Sequence, residues 1–151
     1  MVRLRHIAIA TKDPEKTAAF YQKVFGLKFL KRVSSSPRVK SGVFLTDGHT
    51  NFAFLDYPSD EAADMKGGAN FEGLHHLGFH TDNLAEINAQ VSSTEAEKIG
   101  SSEGLTYAFD FDEKFRGPNG VIIDVSTKGW DLAPPAASAA PASEEKSLKK
   151  A

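Results

Sequence analysis

LRHIAIATKDPEKTAAFYQKVFGL, residues 4–27, contains a change of period that decides the fold. Over LRHIAIAT (4–11) the side chains alternate, with Ile7 and Ile9 on one face and His6, Ala8 and Ala10 on the other, as in a strand. After Asp13 the period lengthens. Asp13 suits an N-cap and Pro14 a first helical position, and Ala18, Phe20, Tyr21, Val24 and Phe25 recur at helical spacing until Gly26 ends the run. KFLKRV (28–33), SGVFLT (41–46) and NFAFLDY (51–57) then read as three strands, the last two joined by a turn at Asp47 and Gly48. The unit is βαβββ.

The same order recurs. GLHHLGFHTDN (73–83) matches the first strand in type, with His76 and Thr81 each seventy residues beyond His6 and Thr11. A helix follows over 83–91, then extended pieces over 105–109 and 110–115, a GPNG turn (117–120) and a last strand VIIDVST (121–127). The expected architecture is therefore α+β: two βαβββ modules whose strands form one curved mixed sheet around a cavity. Module one covers 4–57, a linker 58–72 and module two 73–128, within a single domain over 1–131. From Leu132 the chain is rich in Ala, Pro, Ser and charge without an apolar stripe, and it reads as a disordered tail over 132–151.

Bulk properties narrow the function. A net charge of −2, with Lys and Arg evenly scattered, offers no basic stripe for phosphate backbones, so nucleic acid is not an expected partner. No apolar run approaches about 18 residues and no secretory signal is legible, which gives the expectation of a soluble cytoplasmic protein without a membrane partner. With no cysteine, thiolate chemistry and cysteine zinc sites drop out, and any metal must be held by imidazole, carboxylate or water.

Alternation assigns the faces. Ile7, Ile9, Phe52, Phe54, Leu77, Phe79, Val121, Ile123 and Val125 fall on the helix side. Their neighbours then line the hollow: His6, Ala8 and Ala10; Asn51, Ala53 and Leu55; His76, Gly78 and His80; Ile122 and Asp124. Small residues flank the histidines, leaving room for something other than protein. A buried Asp124 needs a partner, since desolvating an unpaired carboxylate costs several kcal/mol, and two imidazoles with a divalent metal meet that need. The alternation sends His75 away from His76, leaving it a strand-end role.

RHIAIATKDPEKTAAFYQKVFGLK, the central GLHHLGFHTDN and the closing KFRGPNGVIIDVS together resemble the vicinal oxygen chelate superfamily. That family includes glyoxalase I, extradiol ring-cleaving dioxygenases, methylmalonyl-CoA epimerase, fosfomycin-modifying enzymes and bleomycin-resistance proteins. The resemblance implies metal ligands at His6, His76 and Asp124, and it places the fourth-strand ligand position on Ala53, a departure that counts against a glyoxalase I type mechanism. Asn51 would replace it only if the register slipped by two. Two imidazoles and one carboxylate on one side of a metal is the arrangement of non-haem Fe(II) oxygenases. The first expectation is thus an Fe(II) dioxygenase acting on a small catechol-like or other vicinal-oxygen substrate, with Mn, Ni or Zn as other metals, and with His80 and Tyr107 as candidates for moving protons. A glyoxalase I-like lyase or an epimerase-type isomerase is the second reading. A metal-free binding protein of the bleomycin-resistance kind is the third. The resemblance also implies a homodimer.

Other polar and aromatic groups have plainer readings. His49 in DGHTN is an exposed turn residue, and Arg116 makes a structural ion pair or meets an acidic substrate. Phe20, Phe25, Phe29 and Phe44 are expected in the core.

Overall fold

In the computed structural model, which describes residues 1–103 and 110–134, each module begins with a strand that runs into a capped helix. β1 (Val2–Ala10) leads to α1 (Pro14–Phe25), whose first turn is capped by the Asp13 carboxylate accepting from the Lys16 amide and whose end is Gly26 in the left-handed region, φ 68°. β5 (Gly73–Thr81) leads in the same way to α2 (Leu84–Val91), capped by Asn83 accepting from the Glu86 amide. β2 (Lys28–Ser34), β3 (Ser41–Thr46) and β4 (Asn51–Asp56) complete module one. β6 (Glu97–Ser101), β7 (Glu113–Arg116) and β8 (Ile122–Ser126) complete module two. Strand β6 falls on EKIGS, a polar stretch in which alternation carries no signal; the extended piece expected over 105–109 lies outside the described residues.

The eight strands form one sheet in the order β2-β3-β4-β1-β5-β8-β7-β6. Within each module the first and last strands are parallel neighbours, β1 with β4 and β5 with β8, and the two first strands meet antiparallel at the centre. This pairing brings His6, His76 and Asp124 onto three adjacent strands. Two apolar layers flank the sheet. Ala18 and Leu27 pack with Val43, Leu45 and Phe54 under α1, while Ala8, Ala10, Phe44, Ala53, Leu55 and Tyr57 cover the other face. The face assignment from alternation therefore holds for module one.

Two expectations need correction. Phe20 and Phe25 are more than half exposed, because α1 buries only Pro14 and Ala18 fully and turns Tyr21 onto Phe54; the two phenylalanines stack outside that contact. The alternation of β5 is also broken. Leu74 pairs with Ile9 but His76 with Ala8, so His75 is an extra residue, and Arg5 is the matching extra residue between Leu4 and His6 of β1. Such bulges re-aim side chains. His75 is consequently buried alongside His76 instead of pointing away from it. A bulge in the same place in both modules is the backbone signature of their repeat.

Phe54 is wholly buried between α1 and the sheet. Phe54→Ala is expected to destabilise the chain by about 3–5 kcal/mol, read as a lower urea midpoint with an unchanged m-value.

Candidate metal centre

Three side chains converge where the modules meet. His6 (3% exposed), His76 (5%) and Asp124 (4%) each offer a ligand atom, and these atoms all lie within 4.8 Å of one another. His6 Nε2 is 3.2 Å from His76 Nε2, which is 3.2 Å from Asp124 Oδ2.

The surrounding hydrogen bonds determine where the imidazole protons reside. Asn51 Nδ2 donates to the carbonyl of Asp131 (3.0 Å), so its Oδ1 must be the atom facing His6 Nδ1 at 2.8 Å. An amide oxygen only accepts, so His6 carries its proton on Nδ1 and turns the Nε2 lone pair inward. A parallel argument fixes the second ring. His75 Nε2 lies 2.8 Å from the carbonyl of Ala63 and must donate to it; its Nδ1 therefore accepts from His76 Nδ1–H at 2.8 Å, with the Tyr57 hydroxyl at 3.3 Å. His76 Nε2 too is left as a lone pair.

Two lone pairs and a carboxylate oxygen thus face one another with no donor between them. Burial and the neighbouring His76 lower the pKa of His6 to about 3, and burial lowers those of His75, to about 4, and His76. Burial opposes ionisation of Asp124, but the Lys114 ammonium 2.6 Å away favours the carboxylate, and this carboxyl is held below its usual range. At neutral pH the arrangement calls for a cation, and the donor set of two imidazoles and one carboxylate fits a divalent transition metal.

Lys114 completes the surroundings. It lies directly across from Asp124 in the β7–β8 ladder, is 4% exposed, and places Nζ 2.6 Å from Asp124 Oδ1 and 3.8 Å from Asp64 Oδ2. Asp64, held in the left-handed region at φ 53°, also pairs with Arg38. Alternating charges therefore run from the β2–β3 loop through the linker to β8. A cavity of about 320 Å³ opens on this ladder, lined among others by Phe44, Leu55, Tyr57 and Phe111.

The sequence-derived candidates divide. His6, His76 and Asp124 come together. His80 does not line the cavity; its Nε2–H donates to the Thr127 carbonyl at 3.1 Å, a structural role beside Gly129. Tyr107 lies outside the described residues. Ala53 is fully buried between Ala8 and Phe44 and supplies no fourth ligand, while Asn51 stands behind His6. Among the described residues Arg116 makes no ion pair with a side chain: it donates to the backbone carbonyl of Asp64 at 2.8 Å. His49 is exposed in its turn, as expected. His75, Tyr57 and Lys114 were missed. Only Lys114 had a usable signal, since counting equal steps from the GPNG turn sets it opposite Asp124.

Residues 3–125 match the family model described as Glyoxalase/Bleomycin resistance protein/Dioxygenase superfamily. The chain belongs to this superfamily. Within the glyoxalase/dioxygenase superfamily it is 34% identical over 102 residues to human mitochondrial methylmalonyl-CoA epimerase, an alignment covering 66% of this chain and 56% of that protein. The chain thus spans little more than half the length of this curated relative. Among solved structures, a hypothetical protein from Bacillus halodurans superposes with a TM-score of 0.67 at 22% identity, covering 87% of this chain and 98% of that one. A methylmalonyl-CoA epimerase in complex with methylmalonyl-CoA and NH4+ superposes with a TM-score of 0.64 at 20% identity, covering 89% and 99%. These likenesses show that the superfamily fold spans both modules. Among the described residues, no helix is long and apolar enough to cross a membrane.

The pKa shifts set a pH window for the metal-free chain. Above about pH 6.5 these histidines are neutral whether folded or unfolded. Below it the unfolded chain takes up protons that folded His6 and His75 refuse until about pH 3 and 4. Stability therefore falls as pH drops from 6.5 towards 4 and does not depend on these groups between pH 7 and 8. Thermal unfolding followed by circular dichroism in EDTA across pH 4–8 checks this; a flat Tm below pH 6.5 contradicts it.

Proposed function

We propose that this chain is a divalent-metal-dependent enzyme that moves a proton at the carbon next to a thioester carbonyl, inverting an acyl-CoA of the methylmalonyl type. The observation that carries the reading is the convergence of three acceptor atoms, with no donor among them, on a cavity whose wall holds a buried ammonium. The match to the human epimerase supports the reaction class. His6, His76 and Asp124 would hold the metal. A divalent ion bound there supplies positive charge to adjacent oxygens of the substrate, which acidifies the carbon between them.

Other residues of the cavity stabilise the charge that develops. Lys114 Nζ, oriented by Asp124 and Asp64, presents a fixed positive charge to the negative charge that grows on a substrate oxygen, and it does so in a site where reorganisation costs little. Phe44, Leu55 and Phe111 exclude water and so strengthen that interaction. The Tyr57 hydroxyl stays protonated, its pKa raised above the usual range by burial and by Asp124, and it supports His75.

The ring-cleaving dioxygenase reading gains nothing from the matched relatives, which are epimerases. The position of His80 also removes one of its two proton carriers. Ala53, which supplies no fourth-strand ligand, counts against the lyase and the epimerase alike, and the matched relatives favour the epimerase.

The test is solvent exchange. Co(II)-loaded protein incubated with one epimer of methylmalonyl-CoA in D2O is expected to incorporate deuterium at C2 and to erase the optical purity, with no oxygen uptake when catechols are supplied. Oxygen consumption, or no exchange by the loaded protein, overturns the reading. Lys114→Met is expected to lower kcat/KM by about 100-fold while metal stays bound, measured in the same assay beside metal analysis.

A further inference from the structure

The segment that follows β8 doubles back across the sheet and meets β5, β1, β4, β3 and β2 in turn. Thr127 is anchored by the Asp112 carboxylate, which accepts from its amide at 2.6 Å and its hydroxyl at 2.7 Å, while its carbonyl accepts from His80. Gly129, at φ 73°, turns the chain inward beside β5. Trp130 then lies flat on the His6 ring, with centroids 4.9 Å apart and planes 5° from parallel. The Asp131 carbonyl accepts from Asn51 of β4, and the Leu132 carbonyl from the Thr46 hydroxyl of β3 at 2.9 Å. Lys31 of β2 reaches Asp131 at 3.6 Å.

The sheet is shaped for this crossing. A Cβ at Gly78 would fall 2.6 Å from His6 Cβ and 2.7 Å from Trp130 Cη2, so the indole fits only because position 78 has no side chain. Trp130 accepts a cost in return, since its Nε1–H is buried and finds no acceptor among the described residues. Residues 127–132 also lie beyond the part of the chain that matches the family model, 3–125.

From this geometry we infer that residues 127–132 are a strap that presets His6 as a metal donor, with Asn51 and Trp130 as positioning residues. The chemistry is a relay. The Asp131 carbonyl accepts from the Asn51 NH2, which orients the amide so that its oxygen faces His6 Nδ1–H, and the indole clamps the ring in the plane where Nε2 points at His76 and Asp124. Without the strap Asn51 can turn its NH2 towards His6, and the ring is free to put its proton on Nε2, where it opposes a cation. The inference rests on the metal-dependent reading for its purpose, but the proton position is a property of the metal-free protein.

Two measurements separate them. Long-range 15N–1H NMR on the metal-free chain, with His6 assigned through a His6→Gln reference, is expected to show the proton on Nδ1 in wild type and on Nε2 or both nitrogens in Asn51→Leu. Titration with Co(II), followed by calorimetry, is expected to show affinity reduced by about 10- to 100-fold in Asn51→Leu and about tenfold in Trp130→Ala, with Trp130→Phe close to wild type. Trp130 is the chain's single tryptophan, so its fluorescence reports strap docking in the wild type and in Asn51→Leu. A wild-type His6 protonated on Nε2, or unchanged Co(II) affinity in folded Asn51→Leu and Trp130→Ala, overturns the strap even if Co(II) binds. A wild type with the Nδ1 proton that takes up no Co(II) overturns the metal reading and leaves the proton lock standing.

Discussion

Two backbone carbonyls, those of Ala63 and Asp131, govern the centre of this molecule. Each can only accept a hydrogen bond, and each sits at the outer end of a short relay, one through His75 to His76 and one through Asn51 to His6. The relays drive both imidazole protons outward. What remains inside is a knot of acceptors that repel one another unless a positive charge joins them, and the folded backbone holds them there regardless. Neither carbonyl belongs to a strand of the sheet: one lies in the linker between modules, the other past the last strand. The sheet brings His6, His76 and Asp124 together, and the irregular segments decide where the imidazole protons sit.

That division explains what was legible in the sequence. The change of period at Asp13 and the seventy-residue offset between His6 and His76 were enough to give the two modules, because strand and helix periods are local properties of the chain. The convergence of His6, His76 and Asp124 followed from alternation plus the family motifs. His75 did not, because a bulge adds one residue to a strand without changing its composition, and alternation past such a point points the wrong way. Trp130 escaped notice for a different reason. It stands outside any periodic run, and its contact with His6 depends on a reversal at Gly129 and a vacancy at Gly78 that lie fifty-one residues apart. Phe20 and Phe25 were misplaced because helical spacing gives the apolar stripe of α1 but not how much of it the sheet can cover.

The two modules share a backbone plan but differ in charge. Module one lines the cavity with Phe44 and Leu55 beside His6, Lys31 and Arg38; module two lines it with His76, Lys114 and Asp124, with Asp64 of the linker next to them. A buried lysine flanked by two carboxylates is an expensive arrangement, and removing one partner of such a pair commonly costs about 3–5 kcal/mol. Its place 2.6 Å from Asp124 on the cavity wall fits the proposed role of meeting negative charge on a substrate oxygen. The matching bulges show the same divergence on a smaller scale, since Arg5 bonds outward to the His49 carbonyl where His75 bonds inward to Ala63.

The central β1–β5 seam carries a kinetic consequence. His6 belongs to one half of the chain, His76 and Asp124 to the other, and the strap that orients His6 arrives later still. A nascent or half-folded chain holds an incomplete set of donors, so it offers an ion at most two of them and captures it weakly. On the metal-dependent reading the three donors meet only once the seam has formed, and an ion that binds only the finished state draws the folding equilibrium forward by mass action.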